Sequence, residues 1–91
     1  MEPAIMILKG KDQEKEVPSS THEGQEFSYV LEGKVEVTLG TKKYVLEKGD
    51  AAYWKGSVPH RGISLSKKSA RTLNVNLIPG IRVGIFEGSD K

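Results

Sequence analysis

The sequence has no cysteine among its 91 residues, which excludes several kinds of chemistry at once. Without cysteine there is no disulfide framework, no thiolate metal site and no thiol nucleophile, and a reducing cytoplasm is the expected location. Long hydrophobic runs are lacking too, because the apolar run at residues 4–8 is far too short for a signal peptide or a membrane span. We therefore expect a soluble cytoplasmic protein that does not act at a membrane.

A strong excess of one charge is also absent. Fourteen basic and twelve acidic residues give a formal net charge of +2, which is too small to predict direct nucleic-acid binding. The paired lysines at 42–43 and 67–68 fall in predicted turns, where solvated charges are ordinary. With 36% hydrophobic residues and ten glycines, the chain suits one small, turn-rich domain over residues 1–91, with no room for a second core.

The sequence contains a succession of short strand patterns separated by turns. Residues 71–77 alternate most clearly, Gly33 supplies the positive φ of a hairpin turn, and the charged run at 9–16 is predicted as a loop. No segment shows an apolar repeat at helical spacing. Seven or eight short strands about ten residues apart predict an all-β fold, a small antiparallel β-barrel or sandwich. The predicted strands are 4–8, 27–31, 35–39, 44–46, 51–54, a segment around 63–65, 71–77 and 81–86.

The stretch at residues 20–33 combines a strand pattern with reactive side chains. Phe27, Tyr29 and Leu31 alternate with polar residues, as in a strand with two different faces. If the segment is extended, the other face carries Ser20, His22, Glu26, Ser28 and Val30. That face therefore holds a histidine and a glutamate four residues apart.

These residues resemble the first sequence motif of the cupins, a family of small antiparallel β-barrels with jelly-roll topology. That motif has two histidines separated by one residue, then a glutamate and, six residues or so later, a glycine. Here His22 falls in the second histidine position, Glu26 in the glutamate position and Gly33 in the glycine position. Ser20 stands where the first histidine would be.

The second cupin motif begins with Gly-Asp and reaches Pro-His ten residues later. Gly49-Asp50 and Pro59-His60 fit this spacing, so the resemblance covers residues 20–79. Within the family, the residues of both motifs are most similar to those of the effector-sensing domains of helix-turn-helix transcription regulators. No DNA-binding helices are evident in the sequence, so we expect a free-standing relative or a fragment of a longer regulator.

The resemblance implies a metal site at the mouth of the barrel. His22, Glu26 and His60 would provide the two-histidine, one-carboxylate set that can hold Fe(II), Mn(II), Ni(II) or Zn(II) with open positions. A serine hydroxyl is a weak neutral ligand, so Ser20 in place of a histidine should lower the affinity. We expect weak or partial occupancy by a divalent metal ion.

The remaining ligand-binding candidates are Trp54 and Asn74. Tyr53 and Trp54 are expected mainly to pack, since aromatic side chains fill small barrels for reasons of volume. Asn74 and Asn76 would add amide groups to the cavity if they faced inward. The more natural inward face of this strand is Leu73, Val75 and Leu77.

Two hypotheses of function follow. The first is a small-molecule-binding module, a sensor or carrier, with His22 and His60 as donors to a polar or anionic molecule. The second is a metal-dependent enzyme of the isomerase or dioxygenase type. The sequence shows no Ser-His-Asp set and no phosphate-binding glycine loop, which favours the first. We also expect a homodimer, because a terminal strand such as 4–8 or 81–86 would leave a sheet edge exposed.

Overall fold

The structure is a computed structural model, and it describes residues 2–77. The strand predicted at 81–86 lies outside the described residues. The remaining predicted strands are all present, and each begins or ends within about three residues of its predicted bounds. They are β1 (Glu2–Leu8), β2 (Gln25–Glu32), β3 (Val35–Leu39), β4 (Lys42–Leu46), β5 (Ala51–Lys55), β6 (His60–Ser64) and β7 (Ala70–Leu77).

The seven strands form two antiparallel sheets that enclose the interior. One sheet has the order β1-β7-β2-β5, and the other has the order β4-β3-β6. The first and last described strands are therefore neighbours, with Leu8 opposite Ala70 and Ile5 opposite Leu73. This arrangement confirms the predicted all-β fold, a small antiparallel barrel of the jelly-roll type.

The hairpin between β2 and β3 shows how a predicted turn is built. Gly33 adopts φ +92°, as the sequence predicted, and a side chain there would also press against Ala70. The chain then enters β3, where Val35 and Val37 point into the core. The core cluster consists of Val30, Val35, Val37, Trp54 and Ala70, with Leu8, Leu39, Leu46 and Ala52 packed against it.

Strand β2 has its polar face inside and its aromatic face outside. Glu26 and Ser28 are buried next to Val30, whereas Phe27 and Tyr29 are each 38% exposed. In an ordinary half-buried strand, the apolar face would point inward. The inversion places a carboxylate and a hydroxyl inside the barrel, where each needs a hydrogen-bonding partner or a ligand.

Strand β7 is inverted in the same way. Thr72 is only 2% exposed, and Asn74 and Asn76 line the interior cavity beside it. The predicted inward face of Leu73, Val75 and Leu77 is therefore wrong. It assumed that the apolar side of an alternating strand always faces the core, but this sheet turns that side outward. Tyr53, which was expected to fill the barrel, is also on the outer face and 65% exposed.

The charged run at 9–16 was predicted as a loop, and it contains a short, irregular 3-10 helix, Lys11–Glu16, with non-helical backbone angles at Gln13. Arg61 of β6 holds this segment. Its Nη1 donates to the carbonyl oxygens of Glu14 at 3.0 Å and Val17 at 3.1 Å.

No helix among residues 2–77 has the length and apolar character needed to cross a membrane.

Candidate metal centre

Three separate elements bring His22, Glu26 and His60 together. Glu26 lies on β2, His60 begins β6 in the opposite sheet, and His22 lies in the extended segment before β2. One ligand atom from each side chain falls within 4.8 Å of the other two. These are the three residues that the sequence predicted as metal ligands, and the structure places them in one cluster.

The distances inside the cluster match the spacing of ligands around one ion. The Nε2 atom of His22 lies 2.8 Å from Glu26 Oε1, and the Nε2 atom of His60 lies 3.2 Å from the same oxygen. Two ligand atoms about 2.1 Å from a metal and at right angles are about 3.0 Å apart. The donor set therefore fits a single divalent ion bound through one carboxylate oxygen and two imidazole nitrogens.

Hydrogen bonds on the far side of each imidazole set its tautomer. The Nδ1 of His22 lies 2.9 Å from the carbonyl oxygen of Glu23, and the Nδ1 of His60 lies 2.7 Å from that of Val58. A carbonyl only accepts, so each Nδ1 carries a proton, and the Nε2 atom of each ring is the one that faces Glu26. This is the arrangement in which metal-binding histidines are usually held.

The environment of His22 favours its protonated form when no metal is bound. The hydrogen bond to the Glu23 carbonyl and the hydrogen bond to the Glu26 carboxylate raise the pKa of His22 above its ordinary value of 6.5, against a smaller opposing effect of burial. A lone pair facing a carboxylate is repulsive, and a shared cation removes that repulsion. Either a proton or a metal ion can be that cation.

Asn74 hydrogen-bonds the second carboxylate oxygen of Glu26, Oε2. The Nδ2 of Asn74 donates to Glu26 Oε2 at 2.5 Å. The Oδ1 of Asn74 accepts from Ser28 Oγ at 3.1 Å and from Thr72 Oγ1 at 2.6 Å. Asn74, a predicted ligand-binding residue, therefore lies beside the cluster and uses its carbonyl within the protein.

Gly56 has no side chain and so leaves the space that the His22 imidazole ring occupies. The backbone continues the sheet here, with His22 N–H donating to the Gly56 carbonyl at 2.9 Å and Gly56 N–H donating to the Gly24 carbonyl at 2.8 Å. A Cβ atom at position 56 would lie well inside van der Waals contact with the imidazole ring. Sequence analysis missed this role, because the pairing of residues 22–24 with 56 is not a local signal.

A cavity of about 470 Å³ opens between the two sheets at the cluster. Trp54 forms one wall, with its ring 5.4 Å from the His60 ring, and it is 8% exposed. Ser20 lines the cavity too, and two backbone hydrogen bonds join it to His60. The cavity thus brings together the predicted residues His22, Glu26, His60, Ser20, Trp54 and Asn74.

Two buried polar atoms in the cavity wall have no hydrogen-bonding partner within residues 2–77. They are the indole Nε1 of Trp54, a donor, and the Oδ1 of Asn76, an acceptor. Both residues sit beside Glu26 in register, Trp54 on β5 and Asn76 on β7. Unpartnered buried groups are costly in a fold and are common where a polar molecule binds.

A small jelly-roll barrel with an imidazole and carboxylate cluster between its sheets defines the class of this protein. A family model for the cupin domain matches residues 5–76. The chain therefore belongs to the cupin family. No curated protein sequence matches the chain closely enough to count as a relative.

Solved structures of similar fold include several of HppE. Fe(II) HppE in complex with substrate has a TM-score of 0.73 at 26% identity, and Co(II) HppE in complex with Tris buffer has a TM-score of 0.72 at 28% identity. Hydroxypropylphosphonic acid epoxidase from S. wedmorenis in complex with fosfomycin has a TM-score of 0.71 at 26% identity. Each match covers 82% of this chain and 42–44% of the other, so the chain spans less than half the length of these proteins.

Proposed function

We propose that this chain is a metal-dependent small-molecule-binding cupin domain. In this proposal His22, Glu26 and His60 hold one divalent ion, and a small polar molecule completes its coordination in the cavity. The observation that carries the proposal is the convergence of both imidazole Nε2 atoms on one oxygen of Glu26, at 2.8 and 3.2 Å. Three protein ligands leave coordination positions open, which a binding site needs and a purely structural site does not.

The chain's own residues have distinct parts in this proposal. His22 and His60 keep their Nε2 lone pairs free because their Nδ1 protons are donated to carbonyls. Trp54 and Asn76 offer a donor and an acceptor to the bound molecule on either side of Glu26. A bound divalent ion would polarise an oxygen of that molecule or, as iron, supply redox chemistry. The expected molecule is therefore small and polar, with both hydrogen-bond donors and acceptors.

A second candidate function is catalysis on a small polar metabolite. Two histidines and one carboxylate with open positions are the donor set of non-haem Fe(II) oxygenases, and similar structures include Fe(II) and Co(II) forms of HppE. The sensor alternative rests on the sequence resemblance of residues 22–33 and 58–60 to regulator sensing domains, which stays a prediction. Both candidates need the same metal site, so metal binding is the first thing to measure.

The test is metal titration of protein freed of metal by a chelator. Fe(II) under anaerobic conditions, Co(II), Ni(II) and Zn(II) are each titrated into the wild type and into His60→Ala. We expect one equivalent to bind to the wild type and no measurable binding to His60→Ala. Equal binding to both proteins, or none to the wild type, would refute the proposal.

A second measurement separates binding from turnover. The metal-loaded protein is screened against small hydroxy acids, amino acids and phosphonates by thermal shift, and any molecule that stabilises it is then incubated with Fe(II) and oxygen. Stabilisation with no oxygen consumption and no product by mass spectrometry favours a sensor or carrier. Stoichiometric oxygen uptake with a new product favours an enzyme.

A further inference from the structure

Asn74 connects two buried hydroxyl groups to the carboxylate of Glu26. Its amide nitrogen donates to Glu26 Oε2, and its carbonyl oxygen accepts from Ser28 and Thr72. We infer that Asn74 is a positioning residue that fixes the Glu26 carboxylate as a metal ligand, with Thr72 and Ser28 fixing Asn74 in turn. This inference rests on the proposed function and adds a residue that orients a ligand without touching the metal.

Chemistry allows only one orientation of the Asn74 amide. A carboxylate oxygen accepts hydrogen bonds, so the group facing Glu26 Oε2 must be the NH₂ group. A flipped amide would bring two acceptors into contact. The carbonyl oxygen then faces the hydroxyl groups of Thr72 and Ser28, which are 2% and 4% exposed. Water has little access to compete for these bonds, so the chain of hydrogen bonds is retained.

The result is a carboxylate whose two oxygens have different tasks. Oε2 is engaged by Asn74, and Oε1 faces the Nε2 atoms of His22 and His60. A free carboxylate can rotate and bind an ion through both oxygens. A carboxylate held at one oxygen binds through the other alone, which leaves an additional coordination position for a small molecule.

Asn76 provides a matched comparison on the same strand. It lies two residues further along β7, faces the same cavity and is directly opposite Glu26 in register, yet it makes no hydrogen bond to the carboxylate within the described residues. The carboxylate is therefore positioned by Asn74, whereas the carbonyl oxygen of Asn76 is left for the bound molecule.

The experiment measures Zn(II) affinity against a chromophoric chelator and the visible absorption spectrum of the Co(II) form. Asn74→Ala should bind Zn(II) about 10- to 100-fold more weakly, the usual effect of removing a group that orients a ligand. Its Co(II) bands should also move, because the carboxylate changes its mode of binding. Thr38→Val, at a threonine on β3 of the other sheet that does not line the cavity, should keep the wild-type affinity and spectrum. Thr72→Val, which preserves shape and removes one hydroxyl, should show a smaller loss with the same spectral change.

The outcomes separate this inference from the proposed function. A wild type that binds neither Zn(II) nor Co(II) would overturn both. A wild type that binds, with an Asn74→Ala variant of equal affinity and unchanged spectrum, would overturn the inference alone. Circular dichroism and thermal unfolding of the metal-free variants check the fold. If Asn74→Ala does not fold, Thr72→Val decides, and wild-type affinity and spectrum in that variant would overturn the inference.

Discussion

Ser20 lies beside His60, joined to it by two backbone hydrogen bonds of 2.9 and 3.0 Å. The resemblance to the first cupin motif puts Ser20 at a histidine position. Ser20→His should add a strong nitrogen donor at the cavity and raise Zn(II) affinity by about tenfold or more, which corresponds to about 1.4 kcal/mol.

Ser19→His is the control for Ser20→His, because adjacent side chains of an extended segment point to opposite sides. The added histidine at position 19 should leave Zn(II) affinity unchanged when both variants are titrated against the same competing chelator. Equal gains in the two variants would mean that position 20 has no special relation to the site.

His22 should give the metal-free and metal-bound proteins opposite pH dependences. Its folded-state pKa is raised by the Glu23 carbonyl and then by Glu26. The stabilisation from protonated His22 is therefore fully present below its unfolded pKa and is lost as pH rises through the folded pKa. A metal ion competes with that proton for Nε2, so Zn(II) affinity should rise over the same range.

Thermal unfolding from about pH 5.5 to about pH 8.5, with and without Zn(II), checks both trends. His22→Gln is the reference, since it cannot titrate in this range. The melting temperature of the metal-free wild type, relative to His22→Gln, should fall as pH rises. A difference that stays constant with pH would contradict the assignment.

Gly56 should tolerate no side chain, because His22 occupies the space that a Cβ would need. Gly56→Ala is expected to displace the imidazole, to weaken metal binding and to cost about 1–3 kcal/mol of stability, the usual effect of overpacking. Isothermal titration and urea unfolding measure the two effects. Ser57→Ala, in the same turn and exposed, should change neither, and normal metal binding by Gly56→Ala would show that the ring has room to move.

At the scale of elements, the segment around the 3-10 helix depends on Arg61. Its guanidinium donates to two carbonyls, and its Nη2 lies 3.5 Å from the carboxylate of Glu14. A lysine amine cannot reproduce this fork. Arg61→Lys should lose about 1–3 kcal/mol and speed proteolysis within Lys11–Glu16.

Arg71→Lys serves as the control for Arg61→Lys. Arg71 is exposed and lies 3.9 Å from Glu32, which is also exposed, so this is a weak surface pair whose loss should not be measurable. Limited proteolysis followed by mass spectrometry locates the cleavage sites. Identical cleavage patterns in the two variants would mean that the segment is held by its other contacts.

The positions of the strands could be predicted from sequence, but which face of each strand points into the barrel could not. Alternation and glycine turns are local signals, and they placed all seven described strands. Which face of β7 points inward depends on its neighbour β2, which carries Glu26 and ends 38 positions before β7 begins. Asn74 faces inward and donates to that carboxylate, and Thr72 faces inward and donates to Asn74. No local pattern contains this information. The cluster of His22, Glu26 and His60 was predictable because motif spacing encodes it.

At the scale of the whole molecule, the inverted strands leave an apolar outer surface on the larger sheet. Register places Ile5 beside Leu73, Tyr29 beside Leu73, and Phe27 between Val75 and Tyr53. The most exposed members of this surface are Ile5 at 54%, Ile7 at 65% and Tyr53 at 65%. Contiguous apolar surface of this kind usually marks an interface, which supports the prediction of a homodimer.

Light scattering at micromolar concentration should give twice the chain mass of 10.0 kDa. Ile5→Glu should return the mass to that of one chain by placing a charge in the apolar surface. Val45→Glu is the matched control, because Val45 is also 54% exposed but lies on β4 of the other sheet. A wild type that scatters as 10.0 kDa would show that a different partner, or none, covers the surface.

The adjacency of β1 and β7 also governs how the chain reaches its native state. Leu8 and Ala70 are paired although 61 residues separate them, so closing this pair requires a large loss of loop entropy. At ribosomal elongation rates of about 5–20 residues per second, β1 remains unpaired for several seconds until β7 has been synthesised. Its residues Ile5, Met6 and Ile7 are exposed to other chains throughout that interval. We expect β1 to join last and folding to be slow, on the millisecond-to-second scale of proteins dominated by non-local strand pairs.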